Sequence, residues 1–228
     1  FFSPEGSAGF GASSAQFALA YQRLAAVCDW RADLASCWHL YRKLLSDSVI
    51  RPSGADLIAQ WNGGVTRVYV GNEEPEHESL STDSAIARSC IVFSASAQEG
   101  RKVRTHEHLN DLARRQVSFE PLAAVSVRAV DAWKKSDEGQ WAACIREFEG
   151  HCRKLGLESE ATRTDLEAFL ALPGVSSAKG AGALGSDAVL VFMKSEAPER
   201  QRAHVLDLGM RRGLMLIANG LAAEEGLV

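Results

Sequence analysis

Apolar residues recur at helical spacing early in the chain. Phe17, Ala20, Tyr21, Leu24, Val27 and Cys28 lie on one face of a predicted helix, and Leu34, Cys37, Trp38, Tyr41, Leu44 and Leu45 on one face of a second. A stripe of that kind marks a helix with one side against a core. Pro52-Ser53-Gly54 breaks the second run and opens a short third helix, which Gly63-Gly64 stops. The period then changes. Residues 65–70 predict a strand, 73–84 an exposed polar and acidic loop, and 89–95, apolar and rich in β-branched side chains, a buried strand. Helices are predicted over 106–116, 121–135, 138–155 and 164–171. The third of these carries Trp141, Ile145, Phe148, Cys152 and Leu155 on one face. Strands near 175–179 and 188–192 flank a Gly-rich turn, and a helix over 198–211 and a strand near 213–217 follow. This order predicts an α+β fold with helices packed on antiparallel sheets. The change in character near Ser96 divides it into residues 1–95 and residues 96–228.

Composition narrows the function classes. At 46% hydrophobic and 24% charged over 228 residues, the chain has the make-up of a folded globular protein rather than a disordered one. A net charge of -4 with no basic block argues against nucleic acid as a partner, since phosphate neutralisation needs clustered Lys and Arg. Apolar runs such as Ala188–Met193 are too short to cross a bilayer. Five widely spaced cysteines, odd in number and without a C-x-x-C pair, predict free thiols and a cytoplasmic setting. No signal peptide is read at the start. The chain begins Phe-Phe and enters a motif at once, which predicts a preceding N-terminal segment.

Three segments could carry chemistry. In the first, Pro4 to Ala15, the glycines Gly6, Gly9 and Gly11 let the backbone approach a ligand closely, just before a helix whose N-terminus favours an anion. Ser7, Ala8, Ala12, Ser13 and Ser14 complete a phosphate cradle, in which the two serines add hydroxyls for a phosphate oxygen or a phosphate-bound Mg²⁺. The plainer reading is a Ser-capped helix after a loop, and no Gly-Lys-Ser/Thr follows to make a Walker loop. In the second, Pro52-Ser53-Gly54-Ala55-Asp56, a carboxylate falls in the first turn of a helix. The dipole alone explains it, or Asp56 takes or orients a substrate hydroxyl proton. The third, Lys179 to Asp187, places Gly180, Ala181, Gly182 and Ala183 in a turn between strands, either a simple β-turn or a backbone approach to a reacting group.

The order and company of these segments resemble the GHMP kinases (galactokinase, homoserine kinase, mevalonate kinase, phosphomevalonate kinase). Gly9-Phe-Gly-Ala-Ser-Ser-Ala15 is similar to their phosphate loop. Pro52-Ser-Gly-Ala-Asp56 with Gly63-Gly64 is similar to the P-S-G-x-D and G-G of the mevalonate-type members, and Gly180-Ala-Gly182 resembles their third motif. The resemblance runs through most of the chain. It implies a two-domain GHMP fold with a C-terminal ferredoxin-like αβ domain, residues 1–95 being the later part of the ATP-binding domain. It also implies ATP and Mg²⁺ as cofactors. In that reading residues 6–14 bind the triphosphate and Ser13 contacts the metal. Asp56 is the catalytic base, while Ser53, Gly54 and residues 180–183 face the substrate. The acceptor it implies is mevalonate or phosphomevalonate, and it allows a homodimer. The family's first motif has no counterpart here, the third motif has an insertion before Asp187, and the acidic metal ligand has only Asp47 as a weak match. These departures motivate the alternative of a GHMP-fold ligand-binding or regulatory protein without catalysis. The related diphosphomevalonate decarboxylase fits less well, because the P-S-G-x-D helix is kinase-like.

Other candidates are weaker. His106 and His108, two apart on a predicted helix, point in different directions and have no third ligand nearby. The five tryptophans read as core or interface, the 194–202 stretch as a solvated helix entry, and Cys90 as a structural thiol without a histidine partner.

Overall fold

The structure is a computed structural model that describes residues 12–44, 53–70, 74–95, 117–182, 185 and 188–221. The helix expected over 106–116 lies outside the described residues, as do Asp47 and Asp187. The described residues form two compact units that divide between Thr82 and Asp83.

The first unit contains α1 (Ala12–Val27), α2 (Leu34–Leu44), α3 (Ala55–Asn62) and a hairpin of β1 (Val65–Val70) with β2 (Pro75–Leu80). Tyr21, Cys37, Trp38, Leu57 and Ile58 are its core, with Phe17, Tyr41 and Trp61 packed against them. The face of α1 that turns inward differs from the expected one. Ser14, Ala15, Ala18, Tyr21 and Ala25 are buried, whereas Leu24 is 49% and Val27 83% exposed. Small side chains let a helix backbone come close to its neighbour, so on α1 they take the inner face. Asp33 starts α2 by accepting a hydrogen bond from the Ser36 amide at 2.8 Å, which holds its carboxyl below the usual carboxylate range. The polar stretch expected to be a loop is strand β2, antiparallel to β1, with Arg67 opposite Glu78 and their charges 3.6 Å apart. No apolar alternation announces this strand. The backbone ladder and cross-strand pairs hold it.

The second unit is a four-stranded antiparallel sheet in the order β4-β5-β3-β6, made of β3 (Cys90–Ser94), β4 (Val175–Ala181), β5 (Ala188–Met193) and β6 (Met215–Asn219). Its helices are α4 (Ala85–Ser89), α5 (Glu120–Lys134), α6 (Glu138–Leu155), α7 (Glu160–Leu170) and α8 (Glu199–Arg211). Every residue of β3 is buried, and its two edges are taken by β5 and β6. That pairing draws 83–95 into this unit, so the division falls at Asp83 rather than at Ser96.

Ile91, Phe93, Val189 and Val191 of the sheet pack with Leu166 and Phe169 of α7 and Val205 of α8. The Phe93 and Phe169 rings stack at 5.4 Å. Elsewhere on the sheet, Trp141 of α6 sets its ring edge against Phe192 of β5 and against Trp133 of α5. Asp137 caps α6 by accepting from the Gln140 amide. Ser159 caps α7 by accepting from the Thr162 amide at 3.1 Å, which starts that helix at Glu160, four residues before the expected 164. The mixed architecture is the expected α+β class. None of the described helices is long and apolar enough to cross a membrane.

Gly209 of α8 sits against the Phe93 ring so closely that a Cβ there would enter its van der Waals surface. Alanine in a free helix would stabilise by up to about 1 kcal/mol. Here overpacking, at about 1–3 kcal/mol, outweighs it. Gly209→Ala is expected to lower the denaturation midpoint. A midpoint equal to or above that of the wild type would contradict this packing.

Candidate active site

α1 and α3 of the first unit bring together a short polar cluster. Asp56 lies in the first turn of α3, where free amides and the helix dipole favour a carboxylate. Its side chain is exposed, and its Oδ2 accepts a hydrogen bond from Ser14 Oγ at 2.7 Å. Ser14 is fully buried near the start of α1, and its hydroxyl also lies 3.1 Å from Gln60 Oε1. Gln60 is one turn beyond Asp56, on the same face of α3. A hydroxyl has a single hydrogen to give, and the shorter contact assigns it to Asp56. No hydrogen bond from a described residue reaches the other carboxylate oxygen. Among the described residues the cluster therefore presents a braced carboxylate with one oxygen that accepts no hydrogen bond, beside the N-terminal turn of α1.

What fixes Asp56 in place is the residue pair before it. Gly54 has φ 71°, in the left-handed region, and a Cβ on it would lie 2.7 Å from two atoms of the Trp38 indole. The indole Nε1 donates to the Ser53 carbonyl at 2.9 Å, so Trp38 both covers Gly54 and anchors the turn. Arg42 lies over the same ring at 4.5 Å. Ser53 itself is exposed, and its hydroxyl accepts from the Ala55 amide at 3.3 Å.

The third glycine segment belongs to the second unit. Gly180 is buried at the end of β4, where a Cβ would meet Gly185 backbone atoms at 2.7 and 2.8 Å and Thr162 at 2.9 Å. Thr162 Oγ1 donates to the Gly185 carbonyl at 3.1 Å, and the Gly185 amide to the Gly182 carbonyl at 3.1 Å. The turn is thus folded tightly upon itself against α7. Beneath it lie charges that the sequence did not single out. Burial lowers the pKa of Lys179, whose Nζ sits 5.3 Å from the Phe148 ring centre. Burial pushes Glu149 up to about 7, with Lys179 opposing the shift and Glu158 adding to it. Burial likewise pushes the Cys90 thiol up to about 12, which fits a structural rather than a nucleophilic cysteine.

Of the residues expected in the first cradle, Gly6, Ser7, Ala8, Gly9 and Gly11 lie outside the described residues. Ala12 and Ser13 open α1, and nothing is described of their side chains. Ser14, expected at the phosphate, donates its hydroxyl hydrogen to Asp56 and lies 3.1 Å from Gln60 Oε1. Ala183 lies outside the described residues, while Gly180, Ala181 and Gly182 form the turn just described. Gln60 was missed, although its four-residue spacing from Asp56 was a usable signal. Glu149 and Glu158 had none, because a partly buried acid on a mostly polar helix, or in the turn that follows it, looks like its solvated neighbours.

No protein-family model and no curated protein matches the sequence. Solved structures do match the fold. A phosphomevalonate kinase from Streptococcus pneumoniae, in complex with phosphomevalonate and AMPPNP, superposes with a TM-score of 0.72 at 14% identity over 91% of this chain. A Lin0012 protein from Listeria innocua gives 0.70 at 13% over 92%, and a galactokinase from Lactococcus lactis complexed with galactose gives 0.68 at 11% over 96%. The chain spans 67%, 66% and 68% of the lengths of these three proteins respectively.

Gly54→Ala puts a Cβ into the Trp38 ring and strains the left-handed turn. The expected loss is about 2–4 kcal/mol of stability, together with a shift of tryptophan fluorescence. Unchanged stability and emission would show that Trp38 does not hold this turn.

Proposed function

The chain has the fold of the GHMP kinases, and on that fold we propose that it forms the larger part of an ATP-dependent small-molecule kinase. The γ-phosphate passes to a hydroxyl or phosphate oxygen of a small metabolite, with mevalonate or phosphomevalonate favoured by the P-S-G-x-D helix. The observation that carries this reading is the Asp56 carboxylate beside the start of α1, held on one oxygen by Ser14 and, among the described residues, accepting no hydrogen bond on the other. In this reading the two units, which divide between Thr82 and Asp83, correspond to the two family domains.

Phosphoryl transfer needs positioning and charge stabilisation more than covalent help from the protein. The loop over residues 6–14 and the first amides of α1 take the phosphates, with Ser14 contributing through its backbone rather than its hydroxyl. Ser53 and Gly54 line the acceptor side, and the open Asp56 oxygen accepts the hydroxyl proton as the acceptor oxygen bonds to the γ-phosphorus and ADP leaves. A phosphate acceptor is already ionised and brings no proton for this oxygen to take.

The donors suit Mg²⁺. Hard oxygen ligands are what it takes, and it keeps most of its waters and binds phosphate oxygens, so one or two protein oxygens suffice. Ser13 is the residue proposed to hold it, and the ion would neutralise charge between the β- and γ-phosphates.

The test is ADP release by the whole protein with Mg²⁺ against mevalonate, phosphomevalonate, homoserine and sugar acceptors. Acceptor-dependent release is expected, and Asp56→Asn should reduce kcat about a hundredfold or more while the fold is retained. Ser14→Ala should reduce kcat about tenfold or more, with little change in KM for ATP. Nucleotide binding without turnover for any acceptor would replace this reading with that of a catalytically silent ligand-binding protein.

A further inference from the structure

A cleft of about 310 Å³ opens in the second unit at the Met193 end of β5. Arg88 of α4, Lys194 just after β5 and Arg202 of α8 line it, with Glu199 and an apolar wall that includes Met193. Three cations face one carboxylate there, so the lining is positive in a chain whose net charge is -4. The glycine turn follows Ala181, which pairs with Ala188 at the other end of β5. Six residues of strand put the two ends about 17 Å apart.

Like charges gathered in one place repel, and a folded chain ordinarily sets carboxylates among them. Among the described residues no Asp or Glu forms an ion pair with Arg88, Lys194 or Arg202. The cations are nevertheless held in place. Arg202 donates from Nε to Asn219 Oδ1 of β6 at 2.5 Å and from Nη2 to the Arg88 carbonyl at 3.2 Å. Arg88 donates from Nη1 to the Asp83 carbonyl. The Lys194 amide donates to the Gly174 carbonyl at 2.7 Å and the Ser195 amide to Glu138 Oε2 at 3.1 Å, which pins the segment that carries the lysine. A guanidinium has five N–H donors in a fixed fork, so both arginines keep donors beyond these bonds. Ser89 also lines the cleft but adds no donor, since its hydroxyl donates to the Ile86 carbonyl at 2.8 Å.

We propose that this cleft is a binding site for the phosphate group of a small phosphorylated molecule. Two guanidinium forks and one ammonium suit a tetrahedral dianion, which they hold by charge-assisted hydrogen bonds. A carboxylate brings one charge and two oxygens and leaves a cation unanswered. The cleft is larger than phosphate alone requires. The carbon part of the ligand lies against the Met193 wall, and Glu199 accepts from a hydroxyl on it. The proposal does not depend on the kinase reading, because none of these residues belongs to the segments that reading uses.

The test is an NMR titration of the whole protein with glycerol 3-phosphate, inorganic phosphate and acetate at constant ionic strength. Glycerol 3-phosphate should shift the amides of Ser195 and Glu199 and bind about tenfold more tightly than inorganic phosphate, through its contact with the apolar wall. Acetate should leave these amides in place. Lys194 is exposed and its side chain makes no hydrogen bond to a described residue, so Lys194→Gln should weaken binding about fivefold or more without disturbing the fold. Arg202→Lys keeps the charge and loses the fork, and should weaken it about tenfold. Arg163→Gln, at an exposed cation of α7 outside the cleft, should change nothing. Absent shifts, equal shifts with acetate, or affinity unchanged by both Lys194→Gln and Arg202→Lys would overturn the proposal. Equal affinity for inorganic phosphate and glycerol 3-phosphate also overturns it, the cleft then holding an adventitious ion only. Phosphate taken by the loop over residues 6–14 would shift amides of α1 and ignore Lys194→Gln, so failure of this site and failure of the kinase reading are told apart.

Discussion

The indole of Trp38 occupies the space where a side chain at position 54 would stand, and it donates a hydrogen bond to the carbonyl just before. Much of the first unit depends on that contact. It lets the chain turn left-handed at Gly54, which starts α3 where Asp56 falls in the first turn and places Leu57 and Ile58 in the core. The same ring is part of that core and carries the Arg42 guanidinium. The position of the carboxylate is therefore a consequence of hydrophobic packing, and no part of it needs a long-range electrostatic explanation.

The second unit solves a different problem. A strand buried throughout its length needs both edges paired and apolar helices around it, and β3 has β5 and β6 beside it with α7 and α8 packed against Phe93 and its neighbours. At the end of the sheet where β4 turns into β5, partial burial lowers the pKa of Lys179 and raises that of Glu149 on the neighbouring α6. The charge cluster beneath the glycine turn is the result.

Most helices were legible because their periods and caps are local: the limits of α6 fall at the expected residues, and Gly63 stops α3 as read. The α1 face was misread because apolarity was weighed and size was not, so alanines and a serine took the place expected for Leu24 and Val27. Strand β2 was unreadable for the opposite reason. Its residues are polar, and its structure comes from a partner strand that sequence period does not reveal. At the candidate site the glycines and Asp56 were visible as a pattern, but the use of Ser14 was not. A hydroxyl near a phosphate motif looks the same whether it faces outward to a ligand or inward to a carboxylate.

Ser14 also offers a way to absorb a change of charge. Its oxygen lies between Asp56 and Gln60, within reach of acceptors on both, with one hydrogen to place. While Asp56 is ionised, that hydrogen belongs to the carboxylate. In the proposed transfer, where Asp56 takes the acceptor's proton, rotation about one C–O bond would turn the hydrogen to Gln60 and offer a lone pair to the new acid. Neither helix has to move for the exchange, so this corner can pass between two charge states as a rotor within a rigid frame.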